Sequence, residues 1–198
     1  MWVTAALVPV AYLLGTFPSA AIVASGSGVD ITTAGSGNPG ASNVTRTLGW
    51  RKGVLVFAFD ALKGAVAALL GLWVGGRAGG YVLGGAAIVG HVFPFMRGLR
   101  GGKGVATGGG VIAVLHPIVG VAVGAIWLGV SRLTGKAAIA SIAAVVAAPA
   151  GLAIAGAPAW EFGAMVGLCS LLVVRHAGNI KRLLRREERG IGHGAAPS

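Results

Sequence analysis

One polar stretch stands out in an otherwise apolar sequence. Residues 35–46 read Gly-Ser-Gly-Asn-Pro-Gly-Ala-Ser-Asn-Val-Thr-Arg. Small residues let a backbone approach a ligand closely, and amides that lead into a helix start form an anion site. Arg46 lies about two helical turns after Asn38, so it can point to the same side. No Gly-Lys-Ser/Thr follows at the spacing of a nucleotide-hydrolysing loop. The sequence therefore predicts a phosphate-binding loop, with these contacts: Ser36, Gly37, Asn38, Gly40, Ala41, Ser42 and Arg46.

A second candidate is the glycine-rich run Gly-Gly-Lys-Gly at 101–104. It places the ammonium of Lys103 at the N-terminal end of a predicted helix, where the helix dipole also attracts an anion. We expect Lys103, with Gly102 and Gly104, to contact a ligand. The nearby Arg97 and Arg100 are better explained by membrane topology than by ligand binding.

The third candidate is the sequence Arg-His-Ala-Gly-Asn at 175–179, at the end of the last apolar segment. His176 and Asn179 are three residues apart and share one helix face. By spacing alone, an interfacial polar cap is an equally good interpretation.

Three other reactive side chains lie within apolar segments. Asp60 and Lys63, at positions i and i+3, are expected to form a structural ion pair inside the membrane rather than to act in catalysis. Cys169 is the sole cysteine, and we expect it to be an inert core residue.

The composition indicates a polytopic membrane protein. The 198 residues are 55% hydrophobic and 11% charged, and the mean hydropathy is +0.83. Soluble domains carry about 25% charged residues. The net charge of +11 does not indicate nucleic-acid binding, because the basic residues cluster in short gaps between apolar segments. We expect a single integral-membrane domain over 1–198, with a disordered tail at 190–198.

The apolar segments and the charge clusters together predict topology. The run 104–131 is too long for one helix across a core of about 30 Å without strong tilt, and His116-Pro117 can divide it. Fourteen of the 16 Lys and Arg residues fall at 46–52, 97–103, 132–136 and 175–189. Seven spans with an outside N-terminus and a cytoplasmic C-terminus place all four clusters inside, whereas six spans do not. The prediction is an all-α, seven-transmembrane-helix bundle, with spans at 3–24, 54–74, 80–96, 104–115, 117–131, 137–155 and 160–174.

The three polar stretches resemble the cytoplasmic motifs of the acylphosphate-dependent glycerol-3-phosphate acyltransferases, which are bacterial integral-membrane enzymes of phospholipid synthesis. The matching pieces are 35–46, 90–107 and 175–183, and Asp-Ala-Leu-Lys-Gly at 60–64 resembles a further family element. The chain departs from the family pattern at Pro39, at Ala177-Gly178 and at Arg186, where the family usually has glycine. The last departure leaves the turn before Glu188, and the role of that residue, open.

This resemblance implies a seven-span fold with a cytoplasmic active site. It also implies transfer of an acyl group from acyl phosphate to the sn-1 hydroxyl of glycerol 3-phosphate, which gives 1-acylglycerol 3-phosphate (lysophosphatidic acid) and phosphate. The expected partners are the two substrates and membrane lipid, with no nucleic acid. A monomer in the bacterial cytoplasmic (inner) membrane is expected.

The chemistry of these two phosphorylated substrates suggests roles for the candidate residues. Loop amides at 36–41 with Ser36 are expected to bind one phosphate, and Arg46 with Lys103 the other. His176 deprotonates or orients the hydroxyl, and Asn179 stabilises the oxyanion; a substrate phosphate taking the proton is the alternative. We expect no cofactor and no metal site, since only five acidic residues are present.

A different class of protein, an anion or phosphoester transporter, would use the same phosphate-binding groups. It would also need a polar path across the bilayer. Charge inside the predicted spans is confined to Asp60 and Lys63, with Glu161 near the outer edge, which is little for such a path. The enzyme interpretation is therefore favoured.

Overall fold

The computed structural model describes residues 2–191, and these form helices and connecting loops without a strand. The chain alternates long apolar helices with short polar ones. In chain order the helices are α1 (Trp2–Gly15), α2 (Ser19–Ala24), α3 (Ala41–Leu48), α4 (Trp50–Val92), a 3-10 turn (Phe95–Arg97), α5 (Val105–Leu115), α6 (Pro117–Thr134), α7 (Ala137–Ile154), α8 (Ala159–Arg175) and α9 (Ala177–Leu184).

Four helical stretches of the described chain are long and apolar enough to cross a membrane. They are Trp2–Ala24, Trp50–Arg97, Pro117–Thr134 and Ala137–Ile154, and α8 with α9, bent by 55°, is a fifth if the pair is counted as one. The predicted break at His116 is present, because α5 ends at Leu115 and α6 begins at Pro117. Alone, α5 spans only about 17 Å. The number of crossings therefore stays a prediction.

The longest helix, α4, contains the two segments that were predicted as separate spans. It is interrupted where Gly75 (φ −149°, ψ 17°) and Gly76 (φ 59°, ψ −154°) leave the helical region. Positive φ at Gly76 is accessible to glycine at little cost. The chain reverses there, and a side chain on Gly71 would collide with the backbone of Gly79. The halves of α4 therefore pack closely, and the far ends of both return to the same side.

A polar cluster holds the opposite side of the bundle together. Arg77, beside the α4 break, forms an ion pair with the buried carboxylate of Glu161 at the start of α8. His116 Nε2 lies 2.8 Å from Glu161 and 2.9 Å from the hydroxyl of Tyr81. These contacts join α4, the α5–α6 junction and α8. The three polar motifs are on other loops, at the far ends of the same helices.

The end of the described chain lies against the bundle. The amide of Ile191 donates a 2.8 Å hydrogen bond to the carbonyl of Gly135. Of the tail that was predicted to be disordered, 190–198, the part from 192 onward lies outside the described residues.

Candidate active site

Asn43 fixes the shape of the glycine-rich loop before α3, although it was not among the predicted ligand contacts. Asn43 is fully buried. Its Oδ1 accepts the amide of Ser36 at 2.9 Å, and its Nδ2 donates to the carbonyls of Ile31 (3.2 Å) and Ala34 (3.0 Å). An asparagine in the first turn of a short helix after a glycine loop is the sequence signal for this role, because it can serve donors and acceptors together.

These bonds show that three of the amides at 36–41, where a phosphate is predicted to bind, already have partners within the loop or α3. The amide of Ser36 is bound to Asn43, that of Gly37 donates to Ala34, and that of Gly40 donates to Asn38. A loop this short must satisfy its own backbone groups to hold a fixed shape. The first-turn amides of α3, at Ala41 and Ser42, lie outside the helical hydrogen-bond ladder, so anion binding by these two amides stays a prediction.

Arg46 returns from α3 to the loop. Its Nη2 donates to the hydroxyl of Ser36 at 3.4 Å, which places the two residues side by side as the helical spacing indicates. Its Nε is buried and has no hydrogen-bond partner among the described residues. Burial lowers the pKa of the Arg46 guanidinium, and the carboxylate of Glu188 opposes that shift. A charged donor held in this way is suited to an anionic ligand.

The backbone around Lys103 is fastened to the end of α4. The amides of Gly101 and Gly102 donate to the carbonyls of Val92 and His91, each at 3.1 Å. A side chain on Gly102 would collide with the His91 ring, so the second glycine permits this close approach. Gly104 has a left-handed φ of 82° and caps α5. The position of Lys103 is therefore set by glycines on both sides.

The second and third motifs meet through Lys103 and Asn179. The ammonium of Lys103 donates a hydrogen bond to Asn179 Oδ1. Arg175 adds a second link, because its Nη2 donates to the carbonyl of Gly101 at 3.3 Å and its guanidinium lies 5.5 Å from the centroid of the Phe93 ring. These contacts hold the second and third motifs next to each other, so that they form one surface.

Glu188 completes this surface. Its carboxylate accepts from Asn179 Nδ2 at 2.7 Å and from Arg182 Nε at 2.8 Å. The turn that aims it contains Arg186 at φ 61°, the conformation that the family's usual glycine would take without strain. The turn thus forms in this chain despite the substitution, and Glu188 orients the Asn179 amide so that its oxygen faces Lys103.

His176 lies at the bend between α8 and α9 and is only 2% exposed. Its Nδ1 is 2.8 Å from the carbonyl of Leu172. A carbonyl can only accept, so Nδ1 carries the proton, and in the neutral ring Nε2 is left with the lone pair. This tautomer can accept a proton from a substrate hydroxyl.

Burial gives Lys103 an unusual titration. It lowers the pKa of the ammonium to about 8 from an ordinary value of 10.5. Glu188 opposes the shift, and three guanidiniums reinforce it, those of Arg182, Arg46 and Arg175. The same charges show that positive groups from all three motifs converge on one place.

Some predicted residues contribute backbone rather than side-chain contacts. The side chains of Asn38 and Ser42 make no hydrogen bond within residues 2–191, so their part in ligand binding stays a prediction.

The predicted ion pair between Asp60 and Lys63 is present at 2.8 Å, and both side chains are almost fully buried. Asp60 also accepts from Ser19 at 2.7 Å and lies 3.5 Å from His91 Nδ1, so the pair links the halves of α4 and α2.

An apolar cleft of about 50 Å³ lies between the helices. Gly104, next in sequence, packs against Ile88 and Leu172, and both of these line the cleft. Further along it is lined by Val105, Gly108, Gly109, Val145 and Cys169. The polar site thus opens onto a narrow apolar space.

Comparisons with known proteins agree with this geometry. Residues 5–186 match the family model described as glycerol-3-phosphate acyltransferase. The chain is 41% identical to glycerol-3-phosphate acyltransferase 1 of Deinococcus radiodurans, over 91% of this chain and 92% of the relative. It is 40% identical to the glycerol-3-phosphate acyltransferase of Aquifex aeolicus, over 92% and 96%.

Two solved structures are also similar. One is the crystal structure of PlsY (YgiH), an integral membrane glycerol 3-phosphate acyltransferase, in its glycerol 3-phosphate form, with a TM-score of 0.90, 39% identity and 96% of each chain covered. The other is its lysophosphatidic acid form, with a TM-score of 0.88, 38% identity and the same coverage.

Proposed function

The chain belongs to the glycerol-3-phosphate acyltransferase family, and we propose that it takes the acyl group from acyl phosphate and transfers it to the sn-1 hydroxyl of glycerol 3-phosphate. The products are 1-acylglycerol 3-phosphate and inorganic phosphate. The observation that carries this proposal is the junction of Lys103 with Asn179 beside Arg46 and Ser36. Two phosphorylated substrates need a site with excess positive charge, and among residues 2–191 Glu188 is the one carboxylate that offsets the cations around Lys103.

The reaction needs positioning and charge stabilisation more than a covalent intermediate. The sn-1 oxygen attacks the acyl carbonyl carbon, a new C–O ester bond forms, and the bond from that carbon to the phosphate oxygen breaks. An acyl phosphate is already an activated mixed anhydride, so phosphate leaves with the bonding electrons. Arg46 and Lys103 neutralise the phosphates, and Asn179 donates toward the oxyanion.

His176 receives the hydroxyl proton at Nε2 in this proposal, because the contact of Nδ1 with Leu172 fixes the tautomer. The alternative is that a substrate phosphate oxygen takes the proton and His176 only orients the hydroxyl. Purified His176→Ala and Lys103→Ala variants distinguish the two. Losses of similar size in folded protein favour proton transfer to His176, whereas a large residual rate in His176→Ala alone favours the substrate-assisted route.

The topology proposal is a seven-span monomer in the bacterial cytoplasmic membrane, with the N-terminus outside and the active site on the cytoplasmic side. The basic clusters support this orientation. The acyl chain lies in the lipid or in a groove between the helices, and the small apolar cleft lined by Val105, Val145 and Cys169 marks the start of that groove. Cysteine accessibility at the outer and inner loops checks the orientation directly.

One assay tests the donor. Purified protein with acyl phosphate and labelled glycerol 3-phosphate should yield labelled lysophosphatidic acid, and acyl-CoA or acyl carrier protein thioester should not replace the acyl phosphate. Product formed only from a thioester would overturn the donor assignment. Uptake of glycerol 3-phosphate into proteoliposomes without acylation would instead identify a phosphoester transporter.

A further inference from the structure

A second cavity, of about 450 Å³, lies between the glycine-rich loop and the C-terminal segment. Its walls include Ala34, Gly35 and Thr47 from the loop side and Gly190 from the other, with a guanidinium from each side, Arg46 and Arg189. Arg189 closes the gap between them, because its Nη1 donates a 2.7 Å hydrogen bond to the carbonyl of Gly35. That bond uses one of the five N–H donors of the guanidinium.

The charge of this cavity is of one sign. Its described lining contains two arginines and no Asp or Glu. Two acidic residues flank the cavity walls in sequence, but each has other partners. Glu188 accepts hydrogen bonds from Asn179 and Arg182, and Asp30 accepts them from Thr32. Glu187 is exposed. Arg189 repels Arg46 enough to contribute to the lowered pKa of that group, so the two guanidiniums act on a common space.

The volume of this cavity is sufficient for a small organic anion, and its two guanidiniums favour an anion over an apolar chain. A water molecule occupies about 30 Å³ of liquid, and small-molecule pockets begin near roughly 300 Å³. Two guanidiniums line the cavity, which lies among loops outside the predicted spans, whereas the apolar cleft between the helices is lined by other residues. A water-soluble phosphate monoester approaches from this side, and an acyl phosphate from the lipid.

Basic residues continue from the cavity into the site. Arg189 and Arg46 share the cavity wall, Arg46 reaches Ser36, and the charge of Arg46 acts on Lys103. We propose that the cavity between Arg46 and Arg189 is the subsite where glycerol 3-phosphate first docks before it passes to Lys103. This inference rests on the proposed function. It makes Arg189, outside the three motif matches, a residue that sets affinity for the acceptor substrate.

Steady-state kinetics at low ionic strength test it. Arg189→Gln should raise the KM for glycerol 3-phosphate about three- to fivefold, the effect of one partly solvated charge contact. The kcat and the KM for acyl phosphate should stay unchanged, and the difference should vanish at high salt because screening removes it. Arg189→Lys should restore part of the affinity. Arg185→Gln is the matched control, since Arg185 is an exposed cation of the same segment outside the cavity wall.

Three outcomes overturn the docking subsite. They are an unchanged KM in Arg189→Gln, an equal change in Arg185→Gln, and a loss of kcat and thermal stability without a change in KM, which would show a purely structural contact. Failure of the proposed function is a separate result, because then the unaltered protein forms no lysophosphatidic acid from acyl phosphate. In that case calorimetry measures the affinity for glycerol 3-phosphate. Weaker binding in Arg189→Gln but not in Arg185→Gln supports the subsite, and an affinity equal to that of the unaltered protein overturns it.

Discussion

Raising the pH from 7 to 9 should remove most of the catalytic efficiency toward glycerol 3-phosphate, because Lys103 loses its charge in this interval. The side chain of Lys103 is partly buried and donates a hydrogen bond to Asn179 Oδ1. Burial lowers its pKa to about 8. A lowered pKa means that the ammonium is present below pH 8 and is lost above it.

The expected magnitude follows from that value. With a pKa of about 8, the protonated fraction falls from roughly 90% at pH 7 to roughly 10% at pH 9, whereas an ordinary lysine near 10.4 stays almost fully charged. The kcat/KM should therefore fall about ninefold over this range. Phosphate groups have their second pKa near roughly 6, so the substrates do not change charge in the same interval. Bound phosphate stabilises the ammonium, so kcat should decline at a higher pH than kcat/KM.

The assay is the initial rate of lysophosphatidic acid formation across pH 6.5 to roughly 9.5 at constant ionic strength, corrected for spontaneous hydrolysis of acyl phosphate. Lys103→Arg is the control, because a guanidinium keeps its charge throughout. Its profile should be flat above pH 7, at whatever absolute rate it retains. A flat profile in the unaltered protein, or the same decline in Lys103→Arg, would refute the assignment of this titration to Lys103.

Three further predictions concern single residues. Gly102→Ala should lower kcat/KM for glycerol 3-phosphate about tenfold, because its methyl group collides with the His91 ring and displaces Lys103. Arg186→Gly should raise the free energy of unfolding by about 1 kcal/mol, since it removes a left-handed non-glycine residue (φ 61°). Glu161→Gln should lower the free energy of unfolding by about 2 kcal/mol, because the substitution breaks the ion pair with Arg77. The Glu161 side chain is 1% exposed and that of Arg77 45% exposed.

Each of these has a matched comparison. Gly129→Ala adds the same methyl group in α6 where no atom lies within 4 Å, so equal losses of activity would contradict the Gly102 argument. Arg185→Gly changes the preceding residue, whose φ is −85°, and it should not stabilise. Glu187→Gln alters an exposed carboxylate. Thermal unfolding in detergent compares the two variants, and an equal change in Tm for Glu187→Gln and Glu161→Gln would contradict the argument from the buried pair.

Much of the architecture could be predicted because the bilayer constrains it strongly. A chain with 11% charged residues and long apolar runs has few alternatives to helices, since backbone groups in lipid must be satisfied internally. The break at His116-Pro117 followed from local chemistry. The reversal at Gly75-Gly76 lies in the predicted connection between the spans 54–74 and 80–96, but the sequence did not show which of its many glycines would leave the helical region.

The sequence by itself determined the all-helical class, the three polar motifs and the presence of residue types suited to phosphate, because these depend on composition, periodicity and short-range spacing. It also indicated the side of the membrane on which the motifs would meet. Only the tertiary structure decided how the site is built. The amides of the glycine loop are bound to Asn43 and to the loop itself, Glu188 orients Asn179 despite Arg186, and Arg189 returns to Gly35. These contacts join residues that are distant in sequence, and no local pattern encodes them. They depend on which helix ends the packing brings together.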